Sequence, residues 1–273
     1  MTADNDGLIS IDLTDVEREL MVLVLNEYGL SAQVAVELLP PLIGKLSNKQ
    51  WWDYIVPLKE SIKRREPLSN LDWARALCLT EFGFGSDMVA NARRFGPAAD
   101  EYWVLELRSL QGKVSNQQRY RLLRDNATFP APNSARNGEV CAVANTTDRI
   151  DLDDDERRLM TLTLNEYAKS PRHAFELLAP FVGQATYDNW ATYVADLHQA
   201  VTNEQSLSDL DWARALFLTE IGFTSDLVGF ARQFRGADEH GIVVLRSLQV
   251  TINRDGRYLL FSENATYPWI RRD

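Results

Sequence analysis

Residues 68–89 read LSNLDWARALCLTEFGFGSDMV, and residues 207–228 read LSDLDWARALFLTEIGFTSDLV. The stretch IDLTDVERELMVLVLNEY at 11–28 likewise returns at 150–167 as IDLDDDERRLMTLTLNEY. Both pairs are separated by 139 residues, a period far longer than that of solenoid repeats. The sequence therefore predicts a tandem duplication of a domain of about 120 residues.

The predicted division of the chain follows from the limits of this similarity. It comprises a tail (1–10), a first copy (11–130, the N-terminal half), a linker (131–149), a second copy (150–268, the C-terminal half) and a second tail (269–273). The linker is polar and contains Pro, Gly, Asn and Ser. We expect the two copies to pack as an intramolecular pseudo-dimer, because duplicated domains descend most simply from a homodimer.

Five helices are predicted in each copy, from capping residues and from apolar residues at helical spacing. The fourth helix is expected to stop at Gly83 and Gly222, since glycine is common just past a helix end. The caps expected for the first, third, fourth and fifth helices are Thr14, Ser47, Ser69 and Ser86 in the first copy, and Asp153, Thr186, Ser208 and Ser225 in the second.

The last third of each copy is open to two interpretations. In the second copy, residues 242–261 contain two runs rich in β-branched and large apolar residues around Asp255-Gly256, which is typical of a β-hairpin. The same stretch also fits a helix, with Ile242, Leu245 and Leu248 on one face. The β-branched content favours the hairpin. The predicted fold class is thus mainly α (α+β), a duplicated five-helix domain with a small C-terminal β-hairpin in each copy.

Composition places the chain among ordinary globular proteins. It has 273 residues, 45% of them hydrophobic, and no apolar run near the ~20 residues of a membrane helix. Residues 1–10 are short and polar and do not resemble a signal peptide. The two cysteines, Cys78 and Cys141, are too few to hold a fold of this size together. We expect a soluble cytoplasmic protein.

Few residues suggest catalytic or metal chemistry. All three histidines, His173, His198 and His240, lie in the second copy, so the ancestral domain had no histidine site at these positions. The chain has no HExxH or CxxC spacing and no glycine-rich phosphate loop. Cys78 corresponds to Phe217, which indicates a buried apolar position rather than a nucleophile. The sequence predicts a protein that is not an enzyme and binds no cofactor or metal.

Polar residues common to both copies define an alternative site. They include Arg75, Glu81 and Asp87, with their equivalents Arg214, Glu220 and Asp226. In a hydrolase-like enzyme, Glu81 and Asp87 would act as paired carboxylates flanked by Arg75. Helix capping and ion pairs around the fourth helix explain the same residues without a substrate, and we favour that explanation.

The differences between the copies point to a binding surface. The first copy has a net charge of −1 and the second −8, out of −10 for the chain. The second copy opens with an acidic cluster, and the first has two tryptophans where the second has Ala191 and Gly241. Acidic and unmatched aromatic residues are typical of contact surfaces. The candidate binding residues are Asp151, Asp153, Asp154, Asp155, Glu156, Trp52 and Trp103.

Three functions remain open. The favoured hypothesis is a non-enzymatic protein-interaction module that holds a basic partner, for example an immunity or antitoxin-type inhibitor. The others are the hydrolase-like enzyme and a structural or assembly protein. The net charge of −10 argues against binding to nucleic acid or to an anionic membrane.

Overall fold

The computed structural model describes residues 7–30, 35–45, 47–90, 92, 97–129, 145–234, 236–253 and 255–265. Residues 131–144 of the predicted linker, residues 1–6 of the first predicted tail and the whole of the second lie outside the described residues. The chain is mainly α-helical, as predicted. In the described residues, none of the helices combines the length and apolar character needed to cross a membrane.

The helices of the two halves follow one another in the same order. The N-terminal half contains α1 (Asp15–Leu30), α2 (Ala35–Leu38), a 3-10 helix (Pro40–Ile43), α3 (Asn48–Lys63), α4 (Asn70–Gly85), α5 (Pro97–Val114) and α6 (Gln117–Asn126). The C-terminal half contains α7 (Asp154–Lys169), α8 (Phe175–Leu178), α9 (Tyr187–Thr202), α10 (Asp209–Thr224), a 3-10 helix (Ala231–Phe234), α11 (Asp238–Ile252) and α12 (Asp255–Glu263).

The predicted capping residues of the first, third and fourth helices are confirmed. At α1, the Glu17 amide donates to Thr14 Oγ1 at 3.1 Å, while the Thr14 amide donates to Glu17 Oε2 at 2.7 Å. Asp153 makes the corresponding capping box at α7. The serine and threonine caps of α3, α4, α9 and α10 each accept the amide three residues further on. These local hydrogen bonds fix where the helices begin.

The hairpin prediction is wrong, because the last third of each half is a pair of helices, α5–α6 and α11–α12. Ile242, Leu245 and Leu248 are fully buried on α11, so burial at helical spacing outweighs the β-propensity of this stretch. Asp255 and Gly256 lie in the first turn of α12 rather than in a β-turn.

The fourth helix of each half continues past the predicted stop, to Gly85 in α4 and Thr224 in α10. The expected fifth helix does not begin at Ser86, because residues 87–89 form a turn that Ser86 Oγ caps by accepting the Val89 amide at 3.2 Å. Ser225 makes the same contact with Val228 at 3.0 Å. The chain therefore turns sharply where α4 and α10 end.

A short two-stranded sheet joins β1 (Thr147–Asp148) to β2 (Leu207–Ser208) in antiparallel register. β1 lies at the end of the segment that the sequence indicates as linker. Ile9, which lies in the predicted N-terminal tail, forms the corresponding single bridge with Leu68 of the N-terminal half. The Ile9 carbonyl also accepts a hydrogen bond from Trp73 Nε1 at 2.9 Å, which anchors the segment before α1.

The two halves share a hydrophobic core. α4 packs against α10, and α5 packs against α11. The buried apolar residues of both halves form one continuous cluster, in which Phe82 of α4 meets Phe217 of α10 with ring centroids 6.2 Å apart. Cys78 is fully buried in this cluster, as predicted, and burial raises the pKa of its thiol well above the usual value. The junction of the halves is therefore core rather than surface.

Candidate functional site

The two glutamates of the alternative site lie at the junction of the halves, and each contacts the opposite half. Glu81 accepts hydrogen bonds from Ser225 Oγ at 2.6 Å and from the Asp226 amide at 2.7 Å. Glu220 makes the reciprocal contacts, with Ser86 Oγ at 2.6 Å and the Asp87 amide at 2.8 Å. Each carboxylate thus caps the turn that ends the fourth helix of the other half.

A glutamine from each half completes these contacts. Gln111 Nε2 donates to Glu81 at 2.8 Å and to the Thr224 carbonyl at 2.6 Å. Gln249 Nε2 donates to Glu220 at 2.7 Å and to the Gly85 carbonyl at 2.8 Å. All three hydrogen bonds to each carboxylate therefore come from the protein itself.

Two arginines cross the junction in the same reciprocal way. Arg108 Nε donates to Asp238 at 2.6 Å, and Arg246 donates to Asp100 at 2.9 and 3.0 Å. Each guanidinium also donates to a carbonyl at the end of the opposite fourth helix, that of Phe223 or Phe84. All four charged side chains are nine-tenths buried or close to it, so these are paired charges inside the protein.

Burial at the junction shifts the pKa values of both glutamates upwards. Burial raises the pKa of Glu81 to about 8, although its three hydrogen bonds lower it. Burial also raises the pKa of Glu220 to about 7, and the nearby charge of Asp87 adds to the rise. Neither glutamate is exposed to solvent. An acid with a raised pKa suits acid–base catalysis only where a substrate can reach it, and these two are enclosed.

The two arginines of the alternative site lie elsewhere, whereas Asp87 and Asp226 lie beside the glutamate of the opposite half. Arg75 stacks over the Tyr54 ring, 5.2 Å from its centroid, and lies 3.6 Å from Asp72. Arg214 stacks in the same way over Tyr193, at 5.4 Å. The structure therefore brings Glu81 to the turn of the other half rather than to Asp87 of its own, and Arg75 does not flank it.

The acidic cluster lies on the surface, with one exception. Asp151, Asp153, Asp154 and Asp155 are exposed where α7 begins. Glu156 is buried, and its carboxylate accepts hydrogen bonds from the Asp153 amide at 3.0 Å and from Ser247 Oγ at 2.7 Å. Glu156 therefore belongs to the capping box and is not available to a partner, contrary to the sequence prediction.

The two unmatched tryptophans differ in exposure. Trp52 on α3 is 36% exposed. Trp103 on α5 is only partly exposed and packs against the core, with its ring 5.1 Å from that of Tyr102 in an edge-on contact. Tyr102, which is 49% exposed, is the more accessible ring of the pair. The sequence offered no signal for Tyr102 except its position beside Trp103.

An apolar cavity of about 210 Å³ adjoins the acidic cluster, and sequence reasoning missed it. Asp155, Arg158 and His240 form its polar lining, with His240 Nε2 3.1 Å from Asp155 Oδ2. The available signal was Gly241, which stands where the first copy has Trp103. Its apolar lining comprises Leu159, Leu162, Phe223, Phe234, Ala237, Gly241 and Val244.

A second cleft, of about 390 Å³, lies between the halves. Tyr120 of α6 stacks on His173 with ring centroids 6.1 Å apart. His173 Nε2 is 3.0 Å from the Gly229 carbonyl, and burial lowers the pKa of the imidazole. Within the described residues, no group of three or more His, Cys, Asp or Glu side chains could hold a metal ion.

The geometry thus separates a buried polar junction from an exposed acidic surface with an adjoining apolar cavity. Asp155 belongs to both the acidic cluster and the edge of the cavity. Comparison of the chain with known protein families, with curated proteins and with solved structures gives no match.

Proposed function

We propose that the protein is a non-enzymatic protein-interaction module whose C-terminal half binds a basic partner protein, as an immunity or antitoxin-type inhibitor does. The observation that carries the proposal is the exposed acidic cluster at the start of α7. Arg149 and Arg157 form their ion pairs with Glu204, at 2.5 and 3.6 Å, while His240 lies 3.1 Å from Asp155 and Arg158 lines the adjoining cavity. An acidic surface of this kind attracts a basic partner over a long range.

The N-terminal half has only two aspartates at the positions equivalent to the four exposed aspartates. Asp12, Thr14, Asp15 and Val16 stand where the C-terminal half has its four aspartates. Asp15 is also paired, with Arg65 at 2.6 Å. The two halves thus share their polar junction and differ on this outer face, which is the pattern expected of a binding protein that has diverged its surfaces.

The reciprocal contacts of the junction support two further inferences. We infer that the halves arose by duplication of a domain of about 120 residues, and that they pack as an intramolecular pseudo-dimer with an isologous interface. In this arrangement Glu81 and Glu220 hold the halves together. Their enclosure and their protein donors argue against the hydrolase-like alternative, because no substrate could reach them.

The proposal predicts a loss of partner capture when the cluster is neutralised. The variant Asp153→Asn/Asp154→Asn/Asp155→Asn keeps the cap of α7, because asparagine is also a good N-cap, and exposed substitutions change stability little. The tagged full-length protein serves as bait in a lysate of its source cells, in a low-salt buffer. Wild type should retain a basic protein. The variant should retain at least about tenfold less of this protein, because the loss of three negative charges slows association with a basic partner.

The matched control removes three negative charges from the corresponding end of α1, as Asp12→Asn/Asp15→Asn/Glu19→Gln. These side chains are exposed, and the pair of Asp15 with Arg65 is a surface ion pair of small value. The control should capture the basic protein as wild type does. Equal capture by all three baits, or equal loss in both variants, would contradict a binding face on the C-terminal half.

A further inference from the structure

The cavity beside the acidic cluster coincides with the position at which the halves differ most in side-chain size. Gly241 on α11 corresponds to Trp103 on α5. In the N-terminal half, the Trp103 ring packs against the core at this position. In the C-terminal half no side chain is present there, and the Phe223 ring leans against the glycine, 2.6 Å from where a Cβ would lie. The C-terminal half therefore has no indole at this position, and Gly241 and Phe223 both line the adjoining apolar cavity.

The edge of this cavity is polar and carries charges of both signs, since Arg158 lines it together with Asp155 and His240. Asp155 and His240 lie on one side of it, close to the exposed aspartates that open α7. The walls are apolar, and one of them, Leu162, is 45% exposed. A buried aromatic side chain surrounded by a charged rim is the usual form of an interface hot spot.

We propose that this cavity receives an aromatic anchor, a tryptophan or a ring of similar size, from a basic segment of the partner protein. The proposal rests on the proposed function and names the chemistry of the partner. The ring would lie against the apolar walls of the cavity, and lysine or arginine residues beside it would face the exposed aspartates that open α7. Charge complementarity brings the segment to the surface, and the cavity holds it there.

The test uses two lysine-rich pentapeptides as probes with the full-length protein, one with a central tryptophan and one with a central alanine. Methyl signals of Leu162 and Val244, both in the cavity wall, report occupation of the cavity by NMR titration. The tryptophan peptide should shift these signals saturably, and the alanine peptide should leave them in place. Equal shifts with both peptides, or no shift with either, would overturn the proposal that the cavity receives an aromatic side chain.

Matched variants test whether binding of the tryptophan peptide depends on the cavity. Leu162→Trp covers the cavity from its rim and should weaken binding of the tryptophan peptide at least tenfold, because the anchor loses its apolar surroundings. Leu23→Trp makes the same change at the equivalent position of α1, where the leucine is 39% exposed, and should leave binding unchanged. Val244→Glu, which introduces the residue of the other half at this position, Glu106, should weaken it as Leu162→Trp does. Unchanged binding in both cavity variants would overturn the proposal.

Partner capture by the cavity variant and by the aspartate variant separates failure of the aromatic anchor from failure of the proposed function. If Leu162→Trp captures the basic partner as wild type does while the aspartate variant loses it, the anchor is wrong and the acidic binding face stands. If the aspartate variant captures the partner fully, the proposed function fails whatever the peptides do. Loss of capture in both variants is the result expected if both proposals hold.

Discussion

Replacing Gly85 by threonine should lower the free energy of unfolding by about 3 kcal/mol, the upper range for overpacking in a core. Gly85 ends α4, directly opposite Thr224, which ends α10 and is its equivalent in the other half. A Cβ at Gly85 would lie 2.0 Å from Thr224 Oγ1 and 2.6 Å from Thr224 Cβ. A threonine side chain has little freedom to move aside, because its branching at Cβ restricts its rotamers.

The exchange of the two residues is the informative variant. Thr224→Gly alone should cost about 1–2 kcal/mol, from lost packing and from glycine in a helix. Because the contacts of the junction are reciprocal, Gly85→Thr/Thr224→Gly should recover most of the loss, with threonine now on α4 and glycine on α10. Urea denaturation of the four proteins measures the coupling. Additive losses would show that positions 85 and 224 do not share one space.

The second large effect concerns pH. Glu81 and Glu220, with pKa values raised to about 8 and about 7 from 4.5, hold protons in the folded protein where the unfolded chain has released them. The free energy of unfolding should therefore fall as the pH rises from about 5 to 8, with about 1.4 kcal/mol per pH unit from each group in its own range. The loss is absent below pH 4.5, where both states are protonated.

The variant Glu81→Gln/Glu220→Gln isolates this effect. Glutamine keeps an oxygen for the amide and glutamine donors and offers an NH₂ group to the serine hydroxyl. Its stability should depend much less on pH between 6.5 and 8 than that of wild type. His173 acts in the opposite direction below pH 6.5, because burial lowers its pKa, and this contribution cancels in the comparison. Parallel curves for the two proteins would show that the glutamates are ionised in the fold at all these pH values.

The helix starts could be predicted because their causes are local. Thr14, Ser47 and Ser69 cap helices through hydrogen bonds that span three residues, so the sequence alone contains the information. The end of α4 could not be predicted from Gly83. This glycine lies within α4, where a Cβ would meet the Val24 side chain at 2.3 Å. Glycine is needed at this position for close packing of the helices, and it does not end the helix.

The prediction of a β-hairpin in the last third of each copy was wrong because the sequence contains two competing periodicities. Val243 and Val244 raise the β-propensity of residues 242–261, while Ile242, Leu245 and Leu248 have helical spacing. Packing of α11 against α5 buries the helical face and decides the outcome. Strand propensity depends on such surroundings more than helix propensity does.

The sequence predicted which polar residues belong to the candidate site but not which of them contact one another. Glu81 and Asp226 are 145 residues apart, so their contact depends on how the halves pack, which no local pattern contains. The cavity beside Asp155 was missed because an absent side chain, at Gly241, is a weak signal until the walls around it are known. Glu156 could have been placed correctly, since the predicted capping box already required its carboxylate to turn back towards Asp153.

The central claim, an acidic binding face on the C-terminal half, is tested most directly by the rate of association with the captured partner. Stopped-flow measurements from low to physiological salt should give a rate for wild type that falls steeply, because screening shortens the range of the charges to about 8 Å. Asp153→Asn/Asp154→Asn/Asp155→Asn should associate more slowly at low salt and depend less on salt, while Asp12→Asn/Asp15→Asn/Glu19→Gln should behave as wild type. An unchanged rate at low salt in the first variant would contradict the claim and move the binding site to the N-terminal half.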